Sequence, residues 1–423
     1  MVQRSVEEIL QTMESINWDF EDYNSMKYPF DINSVPWYPA TFPAPIPKYL
    51  VALLSEPNDI VFDPFGGKGT TAVETLKQKR KFIYNDLNPY AVSIVESLFT
   101  AICKSEDATY LSDMAEQDKN ELCKINQLKP IDHLSYSGKD KELLRSFLTA
   151  DIITQLAQKN INQDVIYWFH CDTLKELLRI YDYIASFNGD QHLIRKLSFI
   201  SILKEVSSQR GHFSYVTDNC RPYEMKYYNA IDSYCDMFSR IQRACADFIR
   251  QYRTLNRTED LKNILEQCIM HSGNAKDCSY IPDESVDLII TSPPYLCAQD
   301  YILTMRLTNF FFPDEGFSSL PMQEIGPRRL RQKNGIVDSY FGDMKVVLSE
   351  LYRVLKKRGF FCLIIGQGKG KVSKEIDVID KVIDIAKELG FLELFRKTRS
   401  INYRTNRVGG VDKEDLILFY KPS

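Results

Sequence analysis

The chain has 423 residues, 44% hydrophobic and 26% charged, a balance that suits a soluble globular protein and excludes disorder, collagen-like repeats and coiled coil. That length exceeds an ordinary single domain, so one large core carrying an insertion, or two domains, is expected. The net charge of −4 gives no global basic bias, so any nucleic-acid contact must come from a local patch.

Residues 1–34 read as an N-terminal helical extension. Met1 to Phe20 carries Glu7, Glu8, Glu14 and Asp19 in place of the basic-then-apolar pattern of a secretion signal. No apolar run approaches the ~18 residues of a membrane span. The ten cysteines are scattered, with no C-x-x-C pair and no histidine at ligand spacing, which points to neither a zinc site nor a disulfide framework. A cytoplasmic protein with reduced thiols, no metal and no membrane partner is expected.

Residues 35–99 alternate in the manner of a parallel sheet: a helix from about Pro47 to Leu54, a strand Asp59 to Phe65, a helix from Thr70, and a strand Lys81 to Asp86. Residues 100–262 show little β-alternation and much helical spacing, as in Leu174, Leu177, Leu178, Tyr181 and Ile184, and read as a helical insertion. Residues 263–423 resume the alternation, with strands at Ile269 to Gly273, Val286 to Thr291 and Phe360 to Ile365, the last fed by a helix from Tyr340 to Lys356. Strands Leu392 to Ser400 and Leu416 to Tyr420, with Gly409-Gly410 between them, close the sheet with an antiparallel edge. The fold class is therefore α/β, a Rossmann-like sheet of about seven strands with a largely helical insertion.

Two loops carry chemistry. The first, Asp63-Pro64-Phe65-Gly66-Gly67-Lys68-Gly69-Thr70-Thr71, turns from a buried strand into a helix, and its glycines let the backbone approach a nucleotide-like ligand. Lys68 invites a phosphate-binding P-loop reading, but the spacing from the first glycine fails that pattern. At the end of the next strand Asp86 is placed to accept both hydroxyls of a ribose, with Leu87 covering one face of an adenine. Asp277 follows the third strand and is placed to receive an adenine amino group. As ordinary residues, Asp86 and Asp277 would be helix caps.

The second loop, Thr291-Ser292-Pro293-Pro294-Tyr295, ends a strand apolar enough to be buried on both faces. Its prolines stiffen the backbone, so that the Pro293 carbonyl and Ser292 offer two acceptors side by side. The amine of a nucleobase is a poor nucleophile because its lone pair is delocalised, and acceptors on its two hydrogens bend it towards tetrahedral geometry. A methyl group on a sulfonium would then need only in-line placement, and Tyr295 would stack on a base extruded from the duplex. The plainer alternative is a turn that ends a strand with Tyr295 in the core. Cys297 reads as a structural thiol.

These residues resemble the amino-methylating DNA methyltransferases. The resemblance implies S-adenosyl-L-methionine as cofactor, held by Thr41, Phe42, Asp63, Pro64, Phe65, Gly66, Gly67, Gly69, Thr70, Asp86, Leu87 and Asp277, and a catalytic tetrapeptide Ser292, Pro293, Pro294 and Tyr295. A serine at the first tetrapeptide position is typical of members acting on cytosine N4, whereas the order of the motifs departs from that common among them. Adenine N6 is the other base to weigh. The implied substrate is double-stranded DNA, with a restriction endonuclease as functional partner and residues 100–262 as target-recognition region.

Within that region Ser207 to His212 and Asn219 to Pro222 are polar and turn-rich, and Arg210 and Arg221 are candidates for DNA contact. Tyr301 and Arg306 are expected at the base pocket. Arg328, Arg329, Arg331 and Lys333 form the densest basic cluster, joined by Arg396, Lys397, Arg399, Arg404 and Arg407, and would neutralise phosphates. The ordinary alternative for a charge run is a solvated face. An RNA methyltransferase and a catalytically silent DNA-binding subunit are the readings from other classes.

Overall fold

The computed structural model describes residues 5–20, 23, 31–35, 38, 41–125, 135–147, 149–209, 222–255, 261–367, 376–401, 411 and 413–423. Its centre is a seven-stranded sheet in the order β5-β2-β1-β6-β7-β9-β8. The strands are β1 (Ile60–Asp63), β2 (Lys81–Asp86), β5 (Ile269–Ser272), β6 (Val286–Thr291), β7 (Leu355–Gly366), β8 (Leu392–Ser400) and β9 (Lys413–Tyr420). Neighbours from β5 to β7 pair in parallel, while β9 runs antiparallel to β7 and β8 on either side of it. Two residues each of β3 (Tyr136–Ser137) and β4 (Glu224–Met225) form a separate antiparallel ribbon.

The strands alternate between two buried faces, as period-two geometry requires. Phe62, Ile289, Phe361, Leu363, Ile365, Ile417 and Phe419 face the helices Ile336–Val354 and Val378–Glu388. Val61, Leu288, Ile290, Cys362, Ile364, Leu416 and Leu418 face the helix Pro45–Leu54 and the N-terminal helix Val6–Ser15. Asp287 interrupts β6, and its carboxylate is used twice. It accepts from the Ile60 amide at 2.9 Å and from Lys356 Nζ at 2.5 Å, pinning β1 and β7 across β6.

Three boundaries differ from the sequence reading. The helix expected over Tyr340 to Lys356 spans Ile336–Val354 and passes straight into β7, which begins at Leu355. Arg358 at φ 63° and a register shift opposite Val286/Leu288 absorb that turn. The N-terminal residues do not stand off as an extension, because Ile9, Met13 and Trp18 are buried in the same cluster as residues of five sheet strands. Among the described residues, the region 100–262 has no core of its own either. Its long helices Cys171–Ala185, Gly189–Ile202 and Ala230–Leu255 share one cluster with Phe82, Tyr84 and the helix Pro89–Lys104. Gly409-Gly410 lies outside the described residues. Among the described residues no helix is long and apolar enough to cross a membrane.

Candidate functional site

Strand order reverses between β1 and β6: the chain leaves β1 towards β2 and β5 on one side, and continues from β6 towards β7 on the other. Both sequence loops follow these two strands, so they meet at the crevice where open α/β sheets hold their ligands. A cavity of about 300 Å³ opens there.

The loop after β1 is shaped by two close approaches. A Cβ on Gly66 would stand 2.2 Å from the Tyr84 ring, and the Tyr84 hydroxyl donates to the Gly67 carbonyl at 2.6 Å. Gly69 has φ +83°, a left-handed conformation that favours glycine, and caps the helix Thr70–Lys77. Pro64, Phe65, Gly66, Gly67 and Thr70 line the cavity, as do Thr41 and Phe42. Thr70 Oγ1 is buried with no hydrogen-bond partner in the protein.

Asp86 and Leu87 also line the cavity. The Asp86 carboxylate accepts from the Gly67 and Asn88 amides, both at 2.8 Å. Burial outweighs those two bonds and raises its pKa to about 6. Asp63 is raised to about 6 by the same cause, but its role is different. It is only 3% exposed and does not line the cavity. Its oxygens accept from Thr71 Oγ1 at 2.7 Å, Thr291 Oγ1 at 2.6 Å and the Phe65 amide at 3.1 Å, so it ties the two loops together beneath the ligand space. Gly69 likewise shapes the loop from below, outside the lining.

Asp277 departs from the sequence expectation. It is exposed and outside the lining, and hydrogen bonds from the Ser279 hydroxyl and then the Ser279 amide, the latter at 3.0 Å, lower its pKa. Asn274 and Ala275, a turn earlier, reach the cavity instead. The sequence reading weighed Lys68 only as a P-loop lysine and left it out of the cofactor set. It lines the cavity and donates from Nζ to the Asn33 carbonyl at 2.6 Å, and burial lowers its pKa to about 8.

From the second loop, Ser292, Pro294 and Tyr295 line the cavity, while Pro293 is buried behind them. The Tyr295 ring packs on β7, where a Cβ on Gly366 would meet it at 2.7 Å. Ser292 Oγ donates to Tyr295 Oη at 3.2 Å, and Tyr295 Oη donates to Glu414 Oε2 at 2.7 Å. Burial, and then the Glu414 charge, push the Tyr295 hydroxyl far above its ordinary pKa, so it keeps its proton. Glu414 pairs through its other oxygen with Arg399, which donates to the Trp18 carbonyl at 2.8 Å. Glu414 escaped the sequence reading. Its one signal is a carboxylate placed within an apolar strand.

The basic residues divide. Tyr301 lines the cavity, but Arg306 is 7% exposed, with its guanidinium 6.0 Å from the Trp168 ring, and packs between the loop and the helical region. Arg329 is held by Asp300 and Glu324. Arg328 is half-buried, whereas Arg331 and Lys333 are exposed. Arg396 pairs with Asp380 and Asp415, Lys397 with Glu14 and Arg399 with Glu414, so the second cluster is structural as far as it is described. Arg210, Arg221, Arg404 and Arg407 lie outside the described residues.

A family model described as DNA methylase, of the N6/N4 methyltransferases, matches residues 5–97 and 286–422, more than half of the chain. The chain belongs to this DNA methylase family. The two matched stretches bring in every lining residue discussed above except Asn274 and Ala275, and leave most of the helical region unmatched.

Among individual relatives, the Type II methyltransferase M.PvuII of Proteus hauseri is 39% identical over 56 residues, 13% of this chain and 17% of that protein. The Type II methyltransferase M.BglI of Bacillus subtilis is 32% identical over 94 residues, 21% of this chain and 26% of that protein. The chain thus spans about a quarter or less of the length of these two relatives. A candidate DNA modification methylase from Thermus thermophilus, solved with S-adenosyl-L-methionine, is 16% identical at a TM-score of 0.23, covering 36% of this chain and 52% of that one. That score is too low to carry weight beside the family match.

Proposed function

We propose that this DNA methylase transfers a methyl group from S-adenosyl-L-methionine to the exocyclic amine of a base in double-stranded DNA, with cytosine N4 as the acceptor. The observation that carries the reading is the convergence of the glycine loop, Asp86 and Ser292-Pro293-Pro294-Tyr295 on one cavity at the sheet's switch point. The cofactor fits the residues present: Gly66 and Gly67 line the cavity without side chains, Thr70 Oγ1 has no partner, and Asp86 has lone pairs left after its two amide bonds.

When bound, the cofactor supplies an activated methyl group on a sulfonium. Asp86 holds the ribose hydroxyls, Leu87 and Phe65 cover the adenine, and Thr41 and Phe42 close over the methionine end. Asp63 serves by fixing one loop against the other. On the acceptor side Ser292 Oγ takes a hydrogen from the amine, and the Tyr295 ring supports the extruded base. Arg331 and Lys333, both exposed, would meet phosphates. The helical region 100–262 is assigned to target recognition, with a restriction endonuclease as functional partner in a cytoplasmic restriction-modification pair.

Labelled methyl transfer from S-adenosyl-L-methionine to unmethylated duplex DNA tests this. The wild-type chain should label DNA, and Ser292→Ala should lose about 100-fold or more in rate while binding the cofactor normally. Full activity in Ser292→Ala would remove the tetrapeptide from the reaction.

A further inference from the structure

We infer that Glu414 is a positioning residue that sets the direction of the hydrogen bonds at the acceptor site, forcing Ser292 to present lone pairs, and never its proton, to the substrate. The inference rests on the proposed amine methylation and deepens it. A carboxylate only accepts, and arginine only donates. Glu414 and Arg399 are 5% and 3% exposed, with Arg399 on Oε1 and Tyr295 on Oε2. The single Tyr295 hydroxyl proton therefore points to Glu414. What Tyr295 Oη turns towards Ser292 is a lone pair, so the Ser292 proton points to Tyr295, at 3.2 Å. Only the lone pairs of Ser292 Oγ remain for the cavity.

This polarity selects the chemical class of the substrate group. An acceptor at that point suits an amine, with hydrogens to give, and opposes a keto oxygen, as on thymine, uracil or guanine. A free serine hydroxyl would serve either. Glu414 lies on β9 and lines the cavity, and it acts at the tetrapeptide through one intervening hydroxyl.

Glu414→Gln reverses the polarity at nearly constant shape. Because Arg399 only donates, it claims the amide oxygen and leaves the NH2 facing Tyr295. The tyrosine proton then turns to Ser292, and the serine proton turns to the substrate amine, donor against donor. Tyr295→Phe keeps the ring but cuts the chain of bonds, leaving Ser292 free to rotate.

The test measures labelled methyl transfer from S-adenosyl-L-methionine to unmethylated duplex DNA with enzyme in excess, alongside cofactor affinity, for the full chain. Glu414→Gln should slow transfer ~100-fold and Tyr295→Phe ~10-fold, with cofactor affinity within about twofold of wild type. The double variant should match Tyr295→Phe alone, because without the hydroxyl the polarity at position 414 no longer reaches Ser292. A purely structural role would give losses that multiply, to ~1,000-fold, and that result overturns the inference. So does a folded Glu414→Gln at the wild-type rate. Should Glu414→Gln fail to fold, Tyr295→Phe decides: wild-type rate overturns the inference and a ~10-fold loss supports it. A wild-type chain that labels no DNA brings down the underlying reading, and is told apart because the variants then have no rate to lose.

Discussion

Asp86 shows how one residue trades fold stability against binding. Burial raises its pKa from 3.8 to about 6, above the value in an unfolded chain. An acid raised in this way contributes stability that is fully present below pH ~3.8 and lost as pH rises through about 6. The proposed ligand reverses that preference, since ribose hydroxyls donate to the ionised form and the sulfonium favours negative charge nearby. Affinity for S-adenosyl-L-methionine should therefore weaken as pH falls through about 6, approaching tenfold per pH unit, and titration calorimetry from pH 5 to 8 measures it. Asp86→Asn should bind weakly with a flat profile. A wild-type affinity constant over that range would mean that Asp86 does not meet the cofactor.

At the scale of elements, the segment after the tetrapeptide decides which charges are available to DNA. Arg329 is committed to Asp300 and Glu324, and Arg306 is buried beside Trp168, while Arg331 and Lys333 remain exposed. Replacing Arg331 and Lys333 together by alanine should lower the salt slope of DNA binding by about 2 and weaken binding evenly across sequences. An unchanged slope would return both to an ordinary solvated face. Arg329→Ala should act through the fold instead, because it leaves the largely buried Glu324 carboxylate without its partner.

The sequence was most legible where local chemistry is strong. Glycine spacing, proline pairs and runs of buried β-branched residues located both loops and the seven strands, because each constrains its own backbone. It was least legible where one side chain finds a partner far along the chain. Glu414 meets Tyr295 across 119 positions, and Asp63 meets Thr291 across 228. Neither end of either pairing names its partner. The same blindness misassigned Asp277, which sits after the expected strand but turns to its own loop, and the basic cluster from Arg396 onward, whose carboxylate partners come from other elements.

The whole molecule is a two-faced sheet whose two chemical loops are brought together by strand order and locked by buried carboxylates. The helical region shares its core with Tyr84 and the helix Pro89–Lys104, and the Tyr84 hydroxyl bonds the Gly67 carbonyl of the cofactor-side loop.

The central claim is methylation of an exocyclic amine at a defined DNA site. Its most direct test is modified-base mapping by long-read sequencing of DNA from a methylation-deficient host expressing the full chain, with Ser292→Ala as control. The account predicts N4-methylcytosine in one short motif, absent from the control. N6-methyladenine in a motif would keep the chemistry and overturn the choice of base. DNA without any modified base, alongside transfer to RNA in the same cells, would contradict the account.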